Sequence, residues 1–368
     1  MKTHEEWMDL ALNLAEATIG QTSPNPSVGA VVVKDGELLG VGTHLKAGGP
    51  HAEVHAINQA GERAKGADVY VTLEPCSHYG KTPPCAELLV QSQVKKVYIA
   101  CLDPNPKVTG NGVAILKQAG IEVEIGIREE RALQINQHFF HYMNEKRPFI
   151  TLKAATTLDG KTATATGDSK WITSQLARED VHKQRHQYDA ILVGRQTVEQ
   201  DNPSLTTRLP QGGKSPIRII LDTHLSLDGD FHIFKPDSPT WIVCGKQADK
   251  NRFLNKYPHV KVIQLQTTKV DIADLMEILA EEKIESLYVE GGASVHQSFV
   301  QAGLFDECHW YIAPKLLGGD DARAVIGGTS PIKMAEAEQL VFQHIEQMGP
   351  DIKIIAKRKE ESSCLPEL

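Results

Sequence analysis

The sequence predicts a chain of two α/β domains. Three observations carry this reading. A length of 368 residues exceeds one ordinary compact core. Strand-like apolar runs alternate with helical spacing through both halves. Between the halves, polar HYMNEKRP gives way at residues 141–152 to the strand-like FITLKAA, which marks a domain junction. The first domain is placed at residues 1–146 and the second at 147–358, with a frayed tail at 359–368.

In the first half, Trp7, Met8, Leu10, Ala11, Leu14 and Ala15 recur at helical spacing over 5–19, and the prolines of QTSPNPS stop that helix. VGAVVV and ELLGVG flank Lys-Asp-Gly, a β-hairpin with Gly36 supplying the positive φ of the turn. DVYVTLE, KKVYIAC and EVEIGI follow as strands separated by helical stretches. In the second half FITLKAA opens a strand. A helix from about Ser174 to Gln187 follows, then the strands DAILVG, RIILD, TWIVCG and KVIQL, a helix over about 271–282, and the strand SLYVEGG.

Composition narrows the function. With 41% hydrophobic and 23% charged residues the chain is an ordinary globular protein. Its formal charge of −8 argues against a protein that lives by gripping nucleic-acid phosphates. No stretch reaches the ~18–20 apolar residues of a membrane span, and the N-terminus does not read as a signal peptide. Six cysteines without an export signal fit a reducing compartment, so a cytoplasmic enzyme is expected, without membrane or nucleic-acid partners.

The strongest motif is His51-Ala52-Glu53 followed by Pro75-Cys76 and Cys85. One imidazole and two thiolates are three zinc ligands, and three protein ligands leave zinc the open position that catalysis needs. Water bound there is acidified toward neutrality. Glu53, two residues from His51, is placed to carry its proton rather than to ligate. This is the H-x-E and P-C…C pattern of deaminases that act on nucleobases, except that SHYGKTPP separates the cysteines where two residues are usual. A closed structural site would recruit His55 or His78 and leave Glu53 without a task.

SPNPSVGAVVV, HLKAGGPHAEVHAI, TLEPCSHYGKTPPC and DPNPKVTGNG resemble the bifunctional riboflavin-biosynthesis deaminase-reductases. The likeness continues through LKAATTLDGKTATATGDSKWIT, DAILVGRQTVEQDNPSLTTR, LYVEGGASVHQSF and IAPKLLGG, so it spans nearly the whole chain. It implies a cytidine-deaminase-like α/β/α domain followed by a dihydrofolate-reductase-like α/β domain. It implies zinc, NADPH and a phosphorylated pyrimidine substrate: first loss of a ring amino group, then reduction of the ribosyl group to ribityl. A homo-oligomer is also implied.

In the deaminase half, Lys81, between the two cysteines, is the candidate for the substrate phosphate. Asn25, His44 and Asn105 are candidates for the ring edge or ribose. The second half lacks G-x-G-x-x-G, but Gly291-Gly292 after a strand opens a helix whose free N–H groups suit dinucleotide phosphates. The resemblance places NADPH against Ala155, Trp171, Thr197, Asp201 and the run Gly292, Ala293, Ser294, Val295, His296, Gln297, Ser298. It places the substrate against Ser169, Arg185, Leu205, Arg208 and Glu290, the arginines meeting its phosphate through their fork of donors. Lys153 is the candidate beside the reacting carbon; the bland alternative is an edge-strand charge. Cys101 and Cys244 read as small core residues, and Cys364 falls in the tail.

Two rival readings differ in class. A base- or RNA-editing zinc deaminase with a C-terminal binding module would show salt-dependent RNA binding. A nucleotide-sensing regulator with a structural zinc would be indifferent to loss of Glu53.

Overall fold

A computed structural model describes residues 2–79, 83–105 and 108–359. The chain folds as two compact units, Met1–Lys146 and Arg147–Leu368. No helix among the described residues is long and apolar enough to cross a membrane.

The first unit runs α1 (His4–Glu16), β1 (Gly29–Lys34), β2 (Glu37–Thr43), α2 (Ala52–Ala60), β3 (Asp68–Leu73), α3 (Cys85–Gln91), β4 (Lys96–Cys101), α4 (Asn111–Gln118), β5 (Glu122–Ile125), α5 (Glu129–Ile135) and α6 (Gln137–Glu145). Thr3 caps α1 and Glu6 returns the bond, a reciprocal cap that fixes where the helix starts. The five strands lie in the order β2-β1-β3-β4-β5, with an antiparallel hairpin at one edge and parallel β3, β4 and β5. Apolar side chains of α2, α3 and α4 close one face of the sheet, and those of α1 and α5, with Phe140 of α6, close the other. The result is an α/β/α sandwich. The hairpin turn puts both Asp35 and Gly36 at positive φ, where the sequence reading assigned only the glycine. A Cβ at Gly42 would overlap the Ala52 carbonyl, so only glycine lets the start of α2 lie this close to β2.

The second unit runs β6 (Phe149–Thr157), β7 (Lys161–Ala163), α7 (Gln175–Gln187), β8 (Ala190–Gly194), α8 (Arg195–Asp201), β9 (Ile217–Leu221), β10 (Thr240–Cys244), α9 (Lys250–Lys256), β11 (Lys261–Gln264), α10 (Ile272–Glu281), β12 (Ser286–Gly291), α11 (Ala293–Ala302), β13 (Glu307–Ala313), β14 (Arg323–Ala324), β15 (Leu340–Met348) and β16 (Asp351–Arg358). Nine strands form one sheet, β11-β10-β9-β8-β12-β6-β13-β16-β15, whose pairings are parallel except for the two that β16 makes with β13 and β15. Helices α10 and α11 pack on one face, and α7, α8 and α9 on the other.

Three differences from the sequence reading have physical causes. Much of the polar stretch taken as a linker is helical, because α6 runs to Glu145 and stops at Lys146, which takes the left-handed conformation. Strands β13, β15 and β16 went unread, since ECHWYIA and LVFQHIEQM carry buried or polar residues against simple alternation. Lys153 does not sit on an edge: β6 pairs with β12 on one side and β13 on the other.

Candidate functional site

In the first unit, two helix starts meet the end of β3. His51 is the N-cap of α2, Cys85 is the first residue of α3, and Cys76 follows β3. Nδ1 of His51 and the two Sγ atoms all lie within 4.8 Å of one another. Nδ1 is 3.6 Å from Cys76 Sγ and 3.3 Å from Cys85 Sγ. Donors of a tetrahedral N,S-bound zinc lie about 3.5–3.8 Å apart, so the set fits that ion. Among the described residues this is the one such cluster, and neither His55 nor His78 joins it, so the set supplies three protein ligands. The Cys85 hydrogen bond, working against burial, and then the His51 ring draw the Cys76 thiol below its ordinary value. That makes it a ready thiolate.

Glu53 lies in the first turn of α2 and is 3% exposed. Burial pushes its carboxyl upward from the ordinary carboxylate value. A cavity of about 320 Å³ opens on His51, Glu53 and Cys76, and Asn25, His44 and Asn105 line it as well. His44 Nδ1 lies 3.0 Å from the Pro50 carbonyl and therefore carries the proton, so Nε2 accepts from the Asn25 amide at 3.1 Å. Burial lowers His44 and keeps it neutral.

The same cavity contains residues the sequence reading did not select. Asp103 lines it, and burial raises its carboxyl. Glu74 accepts from the backbone N–H groups of Asp103, Gly110 and Val113, so it ties the loop bearing Asp103 and Asn105 to the end of β3. Its position two residues before Cys76 was the available signal. Phe139 and Met143 come from α6, which nothing in the zinc motif could announce. Lys81 lies outside the described residues, as does Cys364.

In the second unit, the polar residues converge under α7. Lys153 on β6 and Glu290 on β12 face the same side, with Nζ 3.6 Å from Oε2. Arg185 of α7 gives its Nε and Nη2 to the two Glu290 oxygens and an Nη1 proton to the Thr206 carbonyl. The expectation that both arginines offer a free fork is therefore corrected for Arg185, whose donors on that side serve Glu290. Arg208 is exposed. Leu205 has φ +54 and a buried side chain in the core, so only its backbone is available to a ligand. Ser169 donates to Asp201 at 3.4 Å, which joins two expected contacts. Ala155 lies two residues beyond Lys153 on β6.

The glycine turn after β12 has φ +89 at Gly291 and +86 at Gly292. A Cβ on Gly291 would come within 2.7 Å of the His296 ring. Thr197 of α8 donates to the Gly291 carbonyl. Helix α11 begins at Ala293 with Ser294 and Ser298 exposed and Gln297 half-buried. Val295 and His296 face inward: Val295 packs in the core, and the His296 nitrogens lie against the Val325 and Val289 carbonyls. Trp171 is exposed, with the Arg178 guanidinium 4.4 Å over its ring and its carbonyl accepting from Lys315.

Two families match the chain: the cytidine and deoxycytidylate deaminase zinc-binding region over residues 1–101, and the RibD C-terminal domain over 148–354. The riboflavin biosynthesis protein RibD of Bacillus amyloliquefaciens is 52% identical, covering 97% of this chain and 96% of the relative. That of Escherichia coli is 42% identical, covering 95% of this chain and 97% of the relative. Among solved structures, Acinetobacter baumannii RibD superposes with a TM-score of 0.89 at 41% identity, covering 97% of this chain and 99% of that one. A Thermotoga maritima diaminohydroxyphosphoribosylaminopyrimidine deaminase/5-amino-6-(5-phosphoribosylamino)uracil reductase gives 0.88 at 38%, covering 96% and 98%. A second half that is merely a binding module is thereby overturned. With a zinc-type deaminase site in one unit and a dihydrofolate-reductase-like fold in the other, the chain belongs to the RibD family of bifunctional deaminase-reductases of riboflavin biosynthesis.

Proposed function

We propose that the first unit hydrolyses the 2-amino group of 2,5-diamino-6-(5-phosphoribosylamino)pyrimidin-4(3H)-one. The second then reduces the ribosyl group of the resulting 5-amino-6-(5-phosphoribosylamino)uracil to ribityl with NADPH. The observation that carries this reading is the buried Glu53 beside an open His51, Cys76, Cys85 donor set, in a cavity sized for a small ring.

Zinc held by those three residues would acidify a water. Glu53 takes one proton of that water and gives it to the ring nitrogen, then takes the second from the hydroxyl now on C2 and gives it to the leaving amino group. The water oxygen replaces the amino nitrogen at C2, the C–N bond breaks, and ammonia departs. Asn25, fixed by neutral His44, and Asn105 hold the ring edge or ribose, and Lys81 takes the phosphate.

NADPH bound in the second unit would supply hydride at C1′ of the ribosyl group. Lys153, lowered by burial although Glu290 opposes this, holds a proton beside the C1′–O4′ bond and gives it to O4′ as that bond opens. Glu290 fixes the lysine. The backbone N–H groups of Gly292, Ala293 and Ser294 at the start of α11 hold the dinucleotide phosphates, with Gln297, Ser298, Ala155, Trp171, Thr197 and Asp201 around the rest. Val295 and His296 brace that turn, their N–H groups donating to the Gly292 carbonyl. Ser169, Arg185, Leu205, Arg208 and Glu290 surround the substrate, with Arg208 toward its phosphate.

A homo-oligomer is supported by β15, an edge strand exposed along nearly its whole length with Leu340, Phe342 and Ile345 among its side chains.

The test is absorbance at 340 nm of zinc-loaded protein given NADPH and the diamino substrate, beside Glu53→Gln. NADPH oxidation by the parent but not the variant is expected. Ammonia release without NADPH oxidation would sink the reductase half of the reading.

A further inference from the structure

Helix α7 turns His182, Arg185 and His186 toward the segment 205–214, three and four residues apart on one face. Two of the three are committed. Arg185 serves Glu290 and Thr206, and His186 Nδ1 accepts from the Lys214 backbone N–H at 2.9 Å. His182 is half-buried, and its Nδ1 is covered and has no hydrogen-bond partner among the described residues.

We infer that His182 completes the phosphate site of the reductase unit, as the group beside Arg208 that answers the charge of the bound phosphate. The inference rests on the reading that Arg208 faces that phosphate.

The groups around His182 come from every side. Arg185 is on its own helix, Arg208 on the facing loop, Glu290 on β12, and Lys153, bonded to Glu290, on β6. Three fixed cations face one carboxylate, an excess of two positive charges that matches a phosphate dianion. Without an anion, burial and then the Arg185 and Arg208 charges hold His182 down to about 4, so the ring is neutral. A dianion beside Arg208 cancels those charges and favours the imidazolium. Binding then takes up one proton at any pH between about 4 and the raised value of the complex. The neutral ring costs the free enzyme no fourth clustered cation, and the charged ring adds a strong hydrogen bond only when the ligand is there.

The experiment compares His182→Gln and Arg208→Gln with the parent in the reductase reaction. The substrates are 5-amino-6-(5-phosphoribosylamino)uracil and its phosphate-free counterpart, from pH 6 to 8. For the phosphorylated substrate, His182→Gln should raise KM about tenfold at pH 6, the worth of one charge-assisted hydrogen bond, with kcat little changed. The penalty should shrink toward pH 8, and the phosphate-free substrate should show none, which also certifies the fold of the variant. If Arg208→Gln discriminates between the substrates and His182→Gln does not, the inference about His182 is overturned while the phosphate reading stands. If neither variant discriminates, the phosphate is bound elsewhere and both fall.

Discussion

Arg185 and Glu290 form a bidentate pair inside the second unit, Nε to Oε1 at 2.7 Å and Nη2 to Oε2 at 2.9 Å, with 11% and 9% of the side chains exposed. Burial pushes the Glu290 carboxyl up, yet Arg185 and then Lys153 bring it down to about 2. Removing the arginine leaves a buried carboxylate with only the Lys153 ammonium, 3.6 Å away, a loss of about 3–5 kcal/mol. Arg185→Met should lower stability by that order in urea unfolding followed through Trp171, Trp241 and Trp310. Arg185→Met with Glu290→Gln should recover most of it. The folded value lies below the unfolded ~4.3, so the contribution of the pair is full above that pH and fades as pH falls toward 2. A parent unit whose acid unfolding matches that of the double variant would remove the pair from the account of stability.

On the proposed mechanism Glu53 carries protons in the first unit and does not ligate the metal. Glu53→Gln should therefore keep one zinc per chain by atomic absorption while deaminase kcat falls about 10²–10⁴-fold. Loss of zinc together with activity would make Glu53 part of the metal site instead. The reductase reaction, supplied with the deaminated substrate, should be unaffected.

Glu74 acts at one remove. Its carboxylate accepts three backbone N–H groups, at Asp103, Gly110 and Val113. Glu74→Ala leaves those donors unpaired at a cost of roughly 1–3 kcal/mol. Amide exchange at 103–113 should quicken, and deaminase KM should rise more than kcat falls. Unchanged exchange there would deny Glu74 its hold on the loop.

Much of this was legible because the chemistry is local in sequence. His51, Glu53, Cys76 and Cys85 sit at helix starts and a strand end, and the residue types alone define a three-donor site. Gly291-Gly292 was legible for the same reason, as a strand, a turn and a helix start in one run. Long-range pairing was not. Nothing around Arg185 announces that its donors face Glu290, more than a hundred residues on, or that α6 lends Phe139 to a cavity built around residues 51–76. Polar residues on buried strand faces, such as Glu307 and His309, which bond each other at 2.6 Å, also hide β13 from an alternation test.

The β15 edge makes an oligomer testable. Phe342 is 67% exposed on a strand whose outer backbone edge has no strand neighbour among the described residues. Phe342→Glu should shift the sedimentation coefficient from an oligomer to a monomer while deaminase activity persists. A parent protein that already sediments as a monomer at micromolar concentration would refute the oligomer.

Glu285 works against the fold at high pH. It is 5% exposed; burial, with the Asp189 charge added and Lys214 opposing, pushes its carboxyl up to about 8. Unfolding releases it to ~4.3, so between those values the folded state holds a proton that the unfolded state has lost. Stability therefore falls as pH rises through that window, by about 3–5 kcal/mol in all for this one group. Glu285→Gln removes the ionisation and keeps the shape, since the Asp189 carboxylate is met by the Glu285 backbone N–H and not by its side chain. The variant should match the parent near pH 4.5 and exceed it at pH 8. A stability difference that is flat between those pH values would mean that the Glu285 side chain reaches water in the folded protein.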